Sequence, residues 1–248
     1  MDVCRLSLVS KTFYSAAESN TVWERFLPSN PDFTSNISSS SSSSSKKALF
    51  FALCDRPIIT HQGRKSLQLD KRSGKKCYML SARELHIVWG GTPQYWKWTN
   101  LAESRFQEVA RLIAVCWLKL GGTMSTSALS PNTRYAVYLV FKMIDAEGFH
   151  NHPVTLSLGI LGGHSYSKNV CLDPNLDDYE LDERFRGLER PRVRRDGWFE
   201  IEMGEFFNSG IEHDELHFSI RETTSNMWKH GFFLEGIEFR PKYVGTVN

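Results

Sequence analysis

Residues 135–141 read YAVYLVF, a run that is apolar or aromatic at every position. Such a run is typical of a central strand that is covered on both faces. Around it, shorter segments alternate apolar and polar residues with a period of two: 85–89, 154–160, 199–203 and 216–220. Clusters of Gly, Asn, Asp and Pro separate these segments, and no regular alternation of strands with helices is present. The pattern predicts a mainly β protein with a β-sandwich fold.

The composition is that of an ordinary globular protein. A chain of 248 residues with 41% hydrophobic residues has enough apolar material for a sizeable core. A formal net charge of +2 does not indicate a nucleic acid or a membrane as partner. Five widely spaced cysteines are typical of a reducing compartment. No apolar stretch approaches the ~18 residues of a membrane span, and no signal peptide is recognisable. We therefore expect a soluble protein of the cytoplasm and nucleus.

A run of eight serines, residues 38–45, indicates the organisation of the chain. Polyserine buries no apolar surface that would offset its ordering entropy, so we expect a flexible linker there. This divides the chain into a helical segment at 1–30, a Ser-rich linker at 31–47 and a β domain at 48–245.

The N-terminal segment has the periodicity of helices. Apolar residues recur every three to four positions at Leu6, Val9 and Phe13, and a second short helix carries Trp23 and Phe26. About thirty residues are too few to form a core of their own. We therefore expect this apolar face to dock on another surface.

The stretch 88–98, VWGGTPQYWKW, is the most aromatic part of the chain. Gly90, Gly91 and Pro93 favour a tight turn, which would place Trp89 and Trp96 at its two ends. Exposed indoles suit the apolar face of a sugar, but they suit core packing equally well, and the residues alone leave both readings open. The other isolated tryptophans are expected in the core or in sheet packing: Trp117, Trp198 and Trp228.

Other motifs argue against metal binding and catalysis. The stretch 213–217, HDELH, lacks the Glu that follows the first His of the zinc motif, and its alternation predicts a strand that would hold the two rings ~13 Å apart. No nucleophile elbow, phosphate loop or activated cysteine is found, so no catalytic residue, metal or cofactor is expected. The charges of 177–196 nearly cancel and favour a solvated loop. The alternative is phosphate contact or nuclear import through the arginine cluster Arg190, Arg192, Arg194 and Arg195.

Four blocks of sequence, 81–98, 134–143, 195–210 and 231–242, resemble the phloem protein 2 family, the Nictaba-type plant lectins. The resemblance implies a jelly-roll β-sandwich that binds N-acetylglucosamine oligomers or N-glycan cores without catalysis. It also implies the binding residues Trp89, Trp96, Glu215 and Glu222. The two glutamates are seven residues apart and would face opposite sides of a flat strand, so a bend or a strand end would have to bring them together.

Residues 6–28 resemble the second half of an F-box. This implies a substrate receptor of an SCF-type ubiquitin ligase that docks on a Skp-type adaptor through Leu6, Val9, Phe13, Trp23 and Phe26. The Leu-Pro-rich opening of an F-box is not found ahead of these residues, so we expect an N-terminally truncated F-box. Three functions remain open: a lectin, a ubiquitin-ligase receptor for glycoproteins, and a protein-binding sandwich that has lost sugar binding.

Overall fold

The computed structural model describes residues 3–28, 45–176, 183–211 and 214–243. The chain divides into two compact units, Met1–Tyr78 and Met79–Asn248. Most of the predicted linker, up to residue 44, lies outside the described residues, whereas residues 45–47 cap and begin a helix. Residues 48–78, which were predicted to belong to the β domain, lie in the first unit.

The described part of the first unit contains four helices and a β-hairpin. The helices are α1 Val3–Leu6, α2 Lys11–Glu18, α3 Asn20–Glu24 and α4 Lys46–Asp55. The hairpin pairs β1 Ile58–Thr60 with β2 Lys65–Leu69. Serine hydroxyls cap the N-termini of α2 and α4. That of Ser10 accepts a hydrogen bond from the backbone N–H of Phe13 at 3.2 Å, and that of Ser45 accepts one from Ala48 at 3.1 Å.

Trp23 packs against phenylalanine rings inside the first unit. It is only 3% exposed, and its ring centroid lies 5.1 Å from that of Phe50 and 5.5 Å from that of Phe51. Its indole N–H donates to the carbonyl of Ala17 at 2.6 Å. The prediction that Trp23 belongs to an exposed docking face is therefore wrong, because α4 covers the ring.

The strands of the second unit form two antiparallel sheets. The bounds are β3 Lys76–Ser81, which crosses the boundary between the units, β4 His86–Ile87, β5 Trp96–Thr99, β6 Val109–Leu112, β7 Leu118–Ser125, β8 Thr133–Glu147, β9 Val154–Ile160, β10 Ser165–Val170, β11 Arg192–Val193, β12 Phe199–Asn208, β13 Glu215–Glu222 and β14 His230–Pro241. The first sheet contains the order β3-β14-β8-β12-β11, with β6 also paired to β14 and β5 to β6. The second sheet has the order β10-β9-β13-β7-β4.

The central strand β8 contains the YAVYLVF run and is covered on both faces, as predicted. Val140 packs in a cluster with Trp198, which is fully buried and donates its indole N–H to the carbonyl of Glu103. The neighbouring Phe141 faces the other way and stacks on Phe232 at 5.2 Å. The prediction that Trp198 is a core residue is confirmed.

The two sheets pack face to face as a β-sandwich. Phe218 of the second sheet and Phe239 of the first have ring centroids 6.1 Å apart. Gly236 of β14 lies so close to β3 that a Cβ there would overlap the carbonyl oxygen of Leu80. The predicted strands at 154–160, 199–203 and 216–220 are confirmed, but that at 85–89 is reduced to the two residues of β4.

Within the described ranges, no helix has both the length and the apolar character needed to span a bilayer.

Candidate functional site

A tight turn follows strand β4 and positions the first tryptophan of the aromatic stretch. The N–H of Gly90 donates to the carbonyl of Ile87 at 2.9 Å, and that of Thr92 to Trp89 at 2.8 Å. A Cβ on Gly90 would lie 2.9 Å from Cβ of Ile87, so glycine is required there. Trp89 itself has φ 59°, in the left-handed region that bulky residues rarely occupy. The turn predicted from the glycines is therefore present, and Trp89 has a strained backbone.

Three rings form what we call the aromatic cluster: Trp89, Tyr95 and Trp117. The centroid of Trp89 lies 5.2 Å from Tyr95 and 6.0 Å from Trp117, whose plane is turned by 72° to that of Trp89. Trp89 is 40% exposed and Trp117 is 47% exposed. Two indoles open to water at one point of the surface offer apolar ring faces to a flat ligand.

Trp96 is not part of this exposed surface. It is 3% exposed, because it begins β5 and pairs with Leu112 of β6 with its ring turned inward. Its Nε1 has no hydrogen-bond partner among the described residues. The expectation that both indoles flanking the turn are open is thus correct for Trp89 and wrong for Trp96, which cannot stack on a ligand in this conformation.

The third tryptophan of the stretch, Trp98, packs against an arginine side chain of the protein. The guanidinium of Arg83 lies 3.6 Å from the centroid of its ring and also forms an ion pair with Glu108 at 2.7 Å. One face of Trp98 is therefore covered.

Glu222 ends β13 in a buried ion pair with Lys229. Its carboxylate also accepts the backbone N–H groups of Thr224 and Ser225, each at 2.9 Å, and their hydroxyls. Burial alone would raise the pKa of Glu222, but the hydrogen bonds from Lys229 and Ser225 lower it to about 2. Glu222 is thus ionised at neutral pH, and its oxygens are already used within the protein.

Glu215 begins the same strand in the opposite environment. Its side chain is 46% exposed, and its carboxylate lies 3.9 Å from Nε2 of His217. The two glutamates face opposite sides of β13, as the spacing predicted, and they are separated by seven residues or ~23 Å of strand.

The four residues implied by the family resemblance therefore do not converge. Glu222 pairs in register with Leu118, directly after Trp117, so it lies at the end of the second sheet nearest the aromatic cluster. Glu215 pairs with Ser125 at the far end of β7. The structure leaves Trp89 as the member of the predicted set that is both exposed and grouped with other rings.

The sequence did not indicate Tyr95 or Trp117 as site residues. Trp117 and Trp228 were expected in the core or in sheet packing, but both are exposed, at 47% and 59%. Trp228 is exposed in the segment that a β-bridge between Val115 and Lys229 holds beside the start of β7. A signal for Trp117 was available: Leu118 and Leu120 alternate inward, so Trp117 shares the outward parity of Lys119.

In the arginine-rich stretch at 190–195, the guanidinium of Arg194 is turned toward carboxylates of the protein itself. Arg194 donates to Glu238 at 2.6 Å and to Glu200 at 3.1 Å, so it is committed to a partly buried network. Phosphate contact, the alternative reading of this stretch, is therefore not open to Arg194. His213 of the HDELH stretch and residues 177–182 lie outside the described residues, and no metal-binding group of three ligands is found among the rest.

Comparison with known proteins identifies relatives over nearly the whole chain. The Phloem protein 2 family matches residues 75–241. "F-box protein At2g02240" of Arabidopsis thaliana is 45% identical and is matched over 97% of this chain and 74% of its own length. "F-box protein PP2-B10" of Arabidopsis thaliana is 43% identical, over 98% of this chain and 88% of its own length.

Similarity to solved structures is weak. The GH26-CBM35 β-(1,4)-mannanase of Podospora anserina is matched at 7% identity with a TM-score of 0.36, over 69% of this chain and 29% of that one. A likeness of this size supports no inference about ligand.

Proposed function

Since this chain belongs to the phloem protein 2 family, we propose that its second unit is a non-catalytic carbohydrate-binding module of the cytoplasm and nucleus. The ligands that fit best are N-acetylglucosamine oligomers or the related cores of N-glycans. The observation that carries the proposal is the pair of open indoles, Trp89 and Trp117, with centroids 6.0 Å apart and planes nearly perpendicular.

Stacking supplies the binding energy. An indole face that removes ~100 Å² of apolar sugar surface from water contributes about 2.5 kcal/mol before losses. Association entropy offsets much of this, so a single site is expected to bind weakly, with a Kd of ~10⁻⁵ to 10⁻³ M. Because the planes of Trp89 and Trp117 are crossed, one ring can lie flat on a sugar while the edge of the other closes the side. Useful retention then comes from several sugars or several sites together.

The test compares single tryptophan variants of the full chain on a chitin-oligomer matrix. Trp89→Ala and Trp117→Ala are each expected to weaken binding by about tenfold or more, since each removes one stacked face. Tyr166→Ala is the matched control, because Tyr166 is an exposed ring on β10, at the opposite edge of the sheet from β4. Trp96→Ala is expected to destabilise the fold by about 3–5 kcal/mol, as a buried aromatic does.

Retention of both Trp89→Ala and Trp117→Ala at wild-type strength overturns the assignment of the site. A wild-type chain that binds no glycan on an array overturns the lectin function itself, and favours the third alternative, a sandwich that recognises protein.

A second role concerns the first unit, whose relatives are named F-box proteins. Four of the five predicted adaptor-binding residues are exposed although they are apolar: Leu6, Val9, Phe13 and Phe26. Leu6 and Phe13 lie on α1 and α2, and Val9 and Phe26 lie in the turns beside the helices. Exposed apolar residues of this kind suit a protein partner. We propose that they dock on a Skp-type adaptor, so that the chain serves as a receptor for glycoproteins in an SCF-type ubiquitin ligase.

Co-purification of the full chain with a Skp-type adaptor tests this role. Val9→Asp combined with Phe13→Asp is expected to abolish capture by placing charge in an apolar contact. Phe207→Asp, which changes an exposed ring of the second unit, is expected to leave capture intact. Equal capture of the double variant and the wild type contradicts the proposed docking face.

A further inference from the structure

The outer face of the second sheet carries a groove that is separate from the aromatic cluster. A cavity of about 370 Å³ lies over β9, β10 and β13, within the range of small-molecule sites. Its lining combines small and polar residues with apolar ones, and we call it the serine groove after the former: Ser157, Gly159, Ser165, His217 and Ser219, together with Leu158, Ile160, Leu161, Gly162 and Phe218. In the register of the sheet, Ser219 is opposite Ser157, and His217 is opposite Gly159. Small side chains in the middle of the face leave the groove open.

One end of this face carries two cations in an unfavourable arrangement. Arg221 and Lys119 are direct cross-strand partners in the pairing of β13 with β7, and both are exposed. Within the described ranges neither forms an ion pair. Like charges placed directly opposite each other destabilise a sheet. Arg221 follows Ser219 by two residues on the same face, so it is ~7 Å along the strand from the groove, and Lys119 is one strand further away.

The other end of the face carries the opposite charge. Glu215 is six residues before Arg221 on the same side of β13, which is ~20 Å along the strand. His217 lies between them, within 3.9 Å of Glu215. Along this face a carboxylate therefore lies at one end, serine hydroxyls beside apolar lining residues in the middle, and two cations at the other end.

We propose that the serine groove and its cationic end bind an acidic oligosaccharide, one whose sugars carry carboxylate groups. A guanidinium holds a carboxylate through two parallel hydrogen bonds, and the ammonium of Lys119 adds a point charge. Serine hydroxyls both donate and accept, which matches the hydroxyls of a sugar. Glu215 repels a carboxylate and so orients the chain, with its charged sugar at Arg221.

The lining of the face separates this ligand from a nucleic acid. Single strands are held by aromatic rings on which bases stack. Of the described residues that line the groove, the aromatic ones are Phe218, which is 4% exposed, and His217, so the groove offers no series of rings to successive bases. The proposed ligand differs in charge from the one assigned to the aromatic cluster. The two sites border each other, because Lys119 follows Trp117 by two residues with the same outward parity, so each proposal is tested with its own ligand.

The experiment measures binding of the full chain to tetragalacturonate, to its methyl ester and to chitotetraose by calorimetry at low salt. The wild type is expected to bind tetragalacturonate, and the variant with Arg221→Gln and Lys119→Gln to bind it about tenfold or more weakly, because charge-assisted hydrogen bonds are lost. The neutral methyl ester is expected to bind the wild type weakly, with an affinity no higher than that of tetragalacturonate for the double variant. Trp89→Ala is expected to retain tetragalacturonate and to lose chitotetraose.

Lys97→Gln is the matched control, because Lys97 also faces a cation across a strand pair, Arg111, but away from the groove. If Lys97→Gln weakens the binding of tetragalacturonate as much as the double variant does, the attraction is nonspecific and the site is overturned. Equal binding of acid and ester, unchanged binding by the double variant, or no binding of tetragalacturonate to the wild type also overturns it. Circular dichroism of each variant establishes that it is folded.

Discussion

Strand β13 begins and ends with a glutamate, and the two ends of the strand have opposite characters. Glu215 faces water near the serine groove, whereas Glu222 has a fully buried side chain that is paired with Lys229. Both residues are carboxylates on one strand, yet one is available to a ligand and the other is consumed by the fold. The difference teaches that the loop following a strand decides what a carboxylate can do, since residues 224–229 supply every described partner of the Glu222 carboxylate.

The largest expected effect is that of Glu222→Gln, which leaves the ammonium of Lys229 buried without its counter-charge. Breaking a buried pair from one side costs about 3–5 kcal/mol, so the free energy of unfolding in urea should fall by that amount. Replacing both members, with Glu222→Leu and Lys229→Met, is expected to recover most of the loss, since no buried charge then remains. If Glu222→Gln unfolds at the wild-type urea concentration, the two ends of β13 are not as different as described.

A smaller effect is expected from acid. The pKa of Glu222 is about 2 in the folded protein, below its ordinary value of 4.5, so its contribution to stability is fully present above about pH 4.5 and is lost as the pH falls toward 2. The urea midpoint of the wild type should therefore fall between pH 5 and pH 3 by more than that of the variant with Glu222→Leu and Lys229→Met. Other carboxylates with lowered pKa, such as Glu238 beside Arg105 and Arg194, titrate in both proteins and cancel in the comparison. Parallel curves would contradict the role given to Glu222.

The smallest effect is expected at the open end. Glu215→Gln removes an exposed charge whose neighbour is His217, and exposed pairs contribute at most about 1 kcal/mol. Thermal unfolding should show a change of about 0.5 kcal/mol or less. A loss as large as that of Glu222→Gln would show that Glu215 is also structural.

The regular part of the fold was predictable because its signals are local. The YAVYLVF run is apolar on both sides, and β8 is indeed covered on both sides, by the Trp198 cluster and by the facing sheet. The alternation at 154–160 and 216–220 likewise records which side of each strand is buried. A period of two within one segment is sufficient information for such elements.

The candidate site was only partly predictable because exposure depends on partners far away in sequence. Trp89 and Trp96 flank one turn, but Trp96 is drawn inward by pairing with Leu112, and Trp89 meets Trp117 from a different strand. Nothing within residues 88–98 distinguishes the two indoles. Trp23 shows the same limit in the first unit, since the helical stripe was recognised but not the phenylalanines of α4 that cover it.

The left-handed backbone of Trp89 has a consequence for protein engineering. Glycine adopts this conformation at no steric cost, so Trp89→Gly relieves strain in the folded chain. The same substitution removes the contacts of the ring with Tyr95 and Trp117, so its effect on heat resistance is the difference between the relieved strain and the lost packing. Trp89 is also the ring on which the proposed function depends, so a library at this position should be screened for stability and for glycan binding separately.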